Sequence, residues 1–315
     1  DIGRGFQQQM MQFQDERLIA VISMNASCEE LWAKSKEWCE QRTVFKKPLT
    51  KHQVTQFKFV EMLVQIEASK ELANACVRKR MKEALQQLNE QLSGSRFLRG
   101  LLTPGGVRLD LTAELARAIE AAAASTAEAL ANLMVRIENN PTVLDRLDTT
   151  GLLSTRDAVA LGVTGVAARA SGVDRDARRD HPHAAYAMEG GPRIAVVTET
   201  DGDVHARLHV RAAEARESIR LLRELLGSVP PGPIRAEMPE ALPPGGVGLA
   251  AIESPRGAAV HWLRSDAAGR VDRYHLRSAS FANWPAVPLA AQSAIIPDFP
   301  LVNKSFELCY SCTDR

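Results

Sequence analysis

The chain has 315 residues, 45% of them apolar, and a formal net charge of +1. That length supports two domains, or one large domain with a well-buried core. The near-zero charge gives no electrostatic basis for nucleic acid or an acidic membrane surface as the main partner, and no run of 18 apolar residues marks a membrane span.

Taken in chain order, the sequence opens on Asp1-Ile2-Gly3-Arg4 with no methionine and no apolar signal core, which reads as a fragment or a processed start. From Gln7 to Gln41, Phe13, Leu18, Ile22, Leu31 and Trp32 recur at helical intervals among charged residues, and Lys47-Pro48 ends the run. Thr50-Lys51-His52-Gln53 has the form of a capping box, and Val54, Phe57, Val60 and Val64 follow at spacings of three and four. Two amphipathic helices pairing antiparallel are predicted. Leu111 to Ile137 reads as a long helix whose alanine-rich stretch, Ala121 to Met134, is expected to be buried. Ser154-Thr155-Arg156-Asp157 starts a short helix. Val204 to Leu226 is another, with Leu208, Ala212, Ile219, Leu222 and Leu226 as its apolar positions. Between Gly246 and Arg277 the pattern changes to three short apolar runs divided by Pro255-Arg256-Gly257 and by Asp266 to Gly269, an antiparallel meander. Pro285 to Arg315 carries Pro297 and Pro300 with little periodicity, which predicts a loop-rich tail that packs inward. The fold class is therefore mainly α with a small antiparallel β meander, α+β.

Basic residues divide the chain. Residues 1–82 hold nine lysines and five arginines, whereas residues 83–315 hold one lysine, Lys304, and 24 arginines. Lys and Arg serve almost equally on solvated helix faces, so a uniform chain has no physical reason to switch. The seam falls near Met81 to Leu85 and gives two expected domains, 1–83 and 84–315.

Five cysteines, Cys28, Cys39 and Cys76 early and Cys309 and Cys312 at the end, do not form an even secretory framework, which favours a reducing cytosolic compartment. In that compartment Asn25-Ala26-Ser27 and Asn303-Lys304-Ser305 are chance matches to a glycosylation acceptor. Cys309 and Cys312, spaced C-x-x-C, put two soft thiolates within reach of one metal ion, half of a ligand set. Cys28, Cys39 and Cys76 read as buried small hydrophobes. His205 and His209 lie one helical turn apart, as a bidentate metal site requires, but no third ligand is evident nearby in sequence and solvated helix histidines are common. His181 and His183 flank Pro182 in a loop. Gly190-Gly191 and Gly245-Gly246 lack the strand, helix and lysine of a phosphate loop and read as turns.

Gly3-Arg4-Gly5-Phe6, Asp15-Glu16-Arg17-Leu18, Gln41-Arg42-Thr43-Val44-Phe45-Lys46-Lys47-Pro48-Leu49 and Gln53 resemble the acyl-CoA dehydrogenase family over the first quarter of the chain. The resemblance implies a helical hairpin from the family's C-terminal bundle, in which Arg42, Phe45 and Gln53 contact flavin adenine dinucleotide (FAD). It makes Glu16 a candidate base for removing an α proton from an acyl thioester. The family usually has glycine where this chain has Lys46. A Glu-Arg pair on an amphipathic helix is ordinarily a solvated face, and two helices do not enclose a flavin and an acyl chain.

Asn303-Lys304-Ser305-Phe306-Glu307-Leu308-Cys309-Tyr310-Ser311-Cys312 resembles the C-terminal motif of nickel-iron hydrogenase large subunits of the energy-converting type related to respiratory complex I. Supporting matches are Arg96-Phe97-Leu98-Arg99-Gly100, Pro104-Gly105-Gly106, Gly165 to Gly172, Arg179-Asp180-His181-Pro182, Ser254-Pro255-Arg256-Gly257, Phe281-Ala282-Asn283-Trp284-Pro285 and Pro297-Asp298-Phe299-Pro300. The implied fold is an N-terminal helical hairpin joined to a truncated hydrogenase-large-subunit-like domain. The implied cofactor is a nickel-iron centre, with Cys309 a terminal ligand able to carry a proton, Cys312 a bridging ligand, and Arg256 hydrogen-bonding near the metal. The implied partners are an iron-sulfur small subunit and membrane subunits, holding a cytoplasmic chain at the inner face of the cytoplasmic membrane. The family's first C-x-x-C lies upstream of the region represented here. Glu307-Leu308 replaces the usual Asp-Pro, which makes the frame partly similar to the quinone-reducing complex I subunit, a relative without nickel. Three readings follow: a complex-I-related hydrogenase subunit, a flavin enzyme fragment, and a non-catalytic chimera.

Overall fold

A computed structural model describes residues 5–312 except 230 and 293. Gly3, Arg4 and Thr313 to Arg315 lie outside the described residues, as do the side chains of Phe6 and Asp15. The chain forms two compact units, Asp1–Leu98 and Arg99–Arg315. Both the mainly helical character and the small antiparallel sheets agree with the fold class read from sequence.

The first unit is a helical hairpin. Helix α1 (Gly5–Gln41) leads into a two-residue ladder of β1 (Thr43–Val44) and β2 (Lys47–Pro48), then a 3₁₀ turn at Leu49–Lys51 and helix α2 (Gln53–Ser93). The antiparallel pair is pinned by Trp32 Nε1 donating to the Phe59 carbonyl at 3.0 Å and by Ser69 Oγ donating to Asn25 Oδ1 at 2.7 Å. Trp32 and Phe59 also meet edge to face at 5.8 Å. The expected capping box is absent. Thr50 is spent in the 3₁₀ turn, and His52 is the residue that precedes the helix, without a side-chain cap bond. Gly94 ends α2 in the left-handed conformation (φ +74°), as a helix terminus favours. The compositional seam at 81–85 thus falls inside α2, whereas the units divide after Leu98.

The second unit begins with the ladder β3 (Leu102–Thr103) and β4 (Gly106–Val107) and continues with α3 (Ala113–Glu138) and α4 (Pro141–Leu147). Thr112 and Asn140 cap these helices by accepting from Leu115 N and Val143 N. Contrary to expectation, Ala123 is the single buried residue of α3 among those described. Its alanines reduce helix cost without presenting enough surface to fill a core. Short helices α5 (Thr155–Ala160), α6 (Gly165–Ala170) and α7 (Ala177–Asp180) follow, then α8 (Val204–Gly227). Every residue of α6 is buried.

The meander is as expected: β5 (Val247–Ser254), β6 (Gly257–Ser265) and β7 (Val271–Arg277) form one antiparallel sheet in order β5-β6-β7. Its first turn is Pro255-Arg256, with Ser254 paired to Gly257. After β7 comes α9 (Ala279–Asn283), and the closing stretch is more ordered than its prolines implied, forming α10 (Ala286–Ala291) and α11 (Phe299–Phe306). Pro300 sits in the first turn of α11, where its missing N–H leaves no helical bond unmade. The segment packs inward as expected: Val302 and Phe306 join Ala286, Val287 and Ala290 in the core with Leu153, Ala168 and Val204.

Two arginines run through this core. Arg207 is fully buried; its guanidinium donates to Ser305 Oγ and to the Gly202 and Gly151 carbonyls, each at 2.8 Å, and lies 4.4 Å from the Phe306 ring centroid. Burial pushes its pKa down to about 9, which leaves it cationic at neutral pH. Arg169 donates to Glu214, to Glu253 at 2.9 Å and to the Arg175 carbonyl at 2.8 Å. Burial lowers the Arg169 pKa, but the Glu214 and Glu253 carboxylates raise it further, so this residue too stays charged. No described helix is long and apolar enough to cross a membrane.

Candidate functional site

Three separate stretches of chain meet at the C-terminal loop. The first is the Pro255-Arg256 turn of the β5-β6 hairpin. It lies so close to the start of α6 that a Cβ on Gly165 would fall 2.4 Å from the Arg256 carbonyl oxygen and from Gly257 Cα. Gly165 has φ +69°, so glycine is required there by both space and backbone.

The second is α9. Asn283, 1% exposed, accepts from Thr164 N at 2.8 Å through Oδ1, and donates through Nδ2 to the carbonyls of Thr164 at 3.0 Å and Arg256 at 3.1 Å. Ser278 caps the helix by accepting from Phe281 N, and its hydroxyl donates to the Cys312 carbonyl at 2.9 Å. Ser280, buried, accepts from Cys309 N at 3.0 Å.

The third is the loop itself. Glu307 ends α11 with φ +56°, and the Arg256 Nε donates to its carbonyl. The Glu307 carboxylate takes Lys304 at 2.9 Å and lies 3.6 Å from Arg211 Nε. The Lys304 hydrogen bond, opposed by partial burial and aided by the Arg211 charge, holds Glu307 below the usual carboxylate range. Arg211 also donates to the Ser305 carbonyl at 2.5 Å. Arg211, Arg178, Arg169, Glu253 and Glu307 line a cleft of about 370 Å³ beside Ser254 and Pro255.

Cys309 and Cys312 are half-buried thiols at the two ends of a short turn. Cys309 Sγ lies 3.2 Å from Ser311 Oγ. Its pKa is lowered to about 7, chiefly by hydrogen bonding with the Cys312 side chain and then with Ser311. At neutral pH the thiolate, the form that ligates metal, is therefore well populated. Tyr310, between them, packs against Trp284 with ring centroids 5.1 Å apart and planes tilted by 41°, and its hydroxyl accepts from Asn303 at 2.6 Å. The structure thus brings Cys309, Cys312 and Arg256 to one loop. Sequence motifs mark these three and include Asn283 without assigning it a role, whereas Ser278 and Ser280, which also hold the loop, lie outside every motif. The Phe281-Ala282-Asn283-Trp284-Pro285 stretch was the available signal.

The flavin candidates are not brought together within the hairpin. Glu16 is exposed on α1 and accepts from Gln12 Nε2 at 2.9 Å. Arg42, Phe45 and Gln53 lie at the hairpin bend, about 38 Å away along the helix at about 1.5 Å per residue. Phe45 is 89% exposed. Phe45 and Lys46 have φ of +47° and +65°, so Lys46 occupies the left-handed conformation that a glycine adopts without strain. Cys28 and Cys76 are exposed and Cys39 half-buried, because among the described residues of this unit only Ala73 is buried. The buried-hydrophobe reading of these thiols is corrected accordingly. His183 has a buried Nδ1 without a hydrogen-bond partner and faces Tyr186 at 6.3 Å.

Comparison with known proteins gives two family matches, which overlap over residues 72–94. Residues 3–94 match the acyl-CoA dehydrogenase C-terminal domain. The carbon monoxide-induced hydrogenase of Rhodospirillum rubrum is 32% identical over 235 residues, covering 74% of this chain and 64% of that protein. An NADH-quinone oxidoreductase subunit of Roseiflexus castenholzii is 29% identical over 265 residues, covering 75% of this chain and 63% of its own. Formate hydrogenlyase subunit 5 of Escherichia coli is 30% identical over 236 residues, covering 75% of this chain and 41% of its own. The chain therefore spans less than two thirds of each of these relatives. Residues 72–315 match the model of the respiratory-chain NADH dehydrogenase 49 Kd subunit. The chain belongs to that family.

Proposed function

We propose that this chain is a redox subunit of a complex-I-related hydrogenase assembly, with Cys309 and Cys312 as its metal-facing thiolates. The observation that carries the reading is the C-terminal loop: a thiol with pKa lowered to about 7, two residues from the Glu307 carbonyl to which Arg256 is bound. Soft, readily ionised thiolates suit a thiophilic metal. When bound, a nickel-iron centre would supply the site for splitting dihydrogen into hydride and proton. The donor set fits that centre by half, because Cys309 and Cys312 are the only cysteines from Arg99 onward.

The chain's own contribution is positional and protonic. Ser278 and Ser280 hold the backbone at the two cysteines, Asn283 holds the Arg256 turn, and Arg256 places a permanent cation at the loop. Hydrogen bonding with Cys312 and Ser311 favours the anionic Cys309 sulfur, which can accept a proton near neutral pH. The partners in this reading are an iron-sulfur small subunit and membrane subunits at the inner face of the cytoplasmic membrane. Residues 1–83 are in this reading a joined acyl-CoA-dehydrogenase-type hairpin and residues 84–315 the large-subunit-like domain.

A second reading, a quinone-reactive subunit without nickel, is favoured by Glu307-Leu308 ahead of the cysteines and by the similarity to an NADH-quinone oxidoreductase subunit. The two separate by isotope exchange. The chain co-produced with hydrogenase maturation proteins and an iron-sulfur small subunit should exchange deuterium gas with solvent protons, and Cys309→Ser should abolish that exchange. Quinone-dependent electron transfer with no exchange, unaffected by Cys309→Ser, would support the second reading against the first.

A further inference from the structure

His205 and His209 on α8 gain from the fold the third ligand that sequence did not show. Glu138, the last residue of α3, places a single oxygen, Oε1, 3.1 Å from His205 Nε2 and 2.9 Å from His209 Nε2. The two imidazole rings lie 4.4 Å apart. None of the three residues takes part in the C-terminal loop.

The arrangement is unusual electrostatically because of a fourth group. His205 Nδ1 lies 2.7 Å from Asp148 Oδ1 while its Nε2 faces Glu138, so both ring nitrogens look onto carboxylate oxygens. Whichever nitrogen of a neutral ring carries the hydrogen, the other presents a lone pair to a carboxylate oxygen, a repulsive contact. Only a proton or a metal cation between them makes it attractive. Protonating both rings would place two imidazolium cations side by side on one carboxylate, whereas one divalent ion serves all three ligands. Asp148 stands beside Nδ1, the place from which a carboxylate commonly supports a metal-bound histidine.

The distances suit such an ion. A tetrahedral zinc site with bonds of about 2.0–2.1 Å sets its ligand atoms about 3.3 Å apart, so the 2.9 and 3.1 Å separations need only a small expansion. The three ligand atoms lie within 4.8 Å of one another. His205, His209 and Glu138 side chains are 21%, 37% and 38% exposed, which leaves solvent access for a fourth ligand. We propose that Glu138, His205 and His209 form a divalent transition-metal site of the zinc type, with water in the open position. Glu199, 4.0 Å from His209 Nδ1, stands where it can orient the second ring.

Cobalt(II) tests this directly, because its visible spectrum reports nitrogen and oxygen ligands and its near-ultraviolet charge-transfer band reports thiolates. The full chain bearing Cys309→Ser and Cys312→Ser should bind one equivalent of cobalt with visible bands and no thiolate band, and zinc should displace it. His205→Gln and His209→Gln should each weaken binding at least tenfold, and Asp148→Asn by about tenfold. In the same chain bearing Cys309→Ser and Cys312→Ser, the ring resonances of both histidines should shift on adding one equivalent of zinc. Histidine resonances that titrate with pH but ignore zinc would overturn the proposal and leave a protonated pair on Glu138. Unchanged cobalt affinity in both histidine variants would overturn it equally.

Discussion

The amide of Asn283 is a clamp on Arg256: its Nδ2 donates to the Arg256 carbonyl while its Oδ1 accepts from Thr164 N, joining the β5-β6 turn to the start of α6. The side chain is 1% exposed, so every group it satisfies is shielded from water. Asn283→Ala should cost about 2–4 kcal/mol, the penalty of orphaning a buried donor and two carbonyls. Chemical denaturation measures it. Asn283→Asp should cost at least as much, since it keeps the acceptor and loses both donated bonds.

Arg207 carries a comparable load in the core. Two of its acceptors lie 56 positions before and 98 positions after it, so removing the guanidinium unfastens Gly151 and Ser305 together. Arg207→Ala should destabilise the second unit by about 3–5 kcal/mol. Arg207→Lys should recover only part, because an ammonium cannot match the planar fork of a guanidinium. Thermal unfolding followed by circular dichroism will rank the variants.

Cys309 should titrate well below an ordinary thiol. Its folded pKa is depressed to about 7 from 9.0, so the thiolate is favoured above pH 7 and is lost as pH falls through that value. The alkylation rate at Cys309, resolved by peptide mass spectrometry, should therefore rise with a midpoint near pH 7. Cys312→Ala and Ser311→Ala should each move the midpoint upward. A midpoint near 9.0 in the unsubstituted chain would show that neither neighbour stabilises the thiolate.

Much of this architecture is legible in local pattern. The meander between Gly246 and Arg277 announces itself through period and turn residues, and α8 follows its apolar spacing to within a residue. The C-terminal helices were hidden because prolines that end a helix in its interior can also begin one, as Pro300 does. Arg169 and Arg207 were hidden for another reason. An arginine in sequence carries no mark of burial, and only the carbonyls and carboxylates gathered by the fold make it tolerable. Glu138 lies 67 residues before His205, so no spacing rule could join it to the histidine pair. The C-x-x-C spacing marks Cys309 and Cys312 only as a candidate half-site, sharpened by the motif around it, whereas the hydrogen bonds that Ser278, Ser280 and Asn283 make around the loop depend on tertiary contact.

The central claim is that the Cys309–Cys312 loop faces a soft metal. Nickel and iron content per chain, measured by plasma mass spectrometry after co-production with maturation proteins, tests it most directly. In a chain bearing His205→Gln and His209→Gln, which removes the separate histidine site, bound nickel is expected and should fall to background on adding Cys309→Ser or Cys312→Ser. Nickel at the same level in both serine variants, or none in the unsubstituted chain, would contradict it.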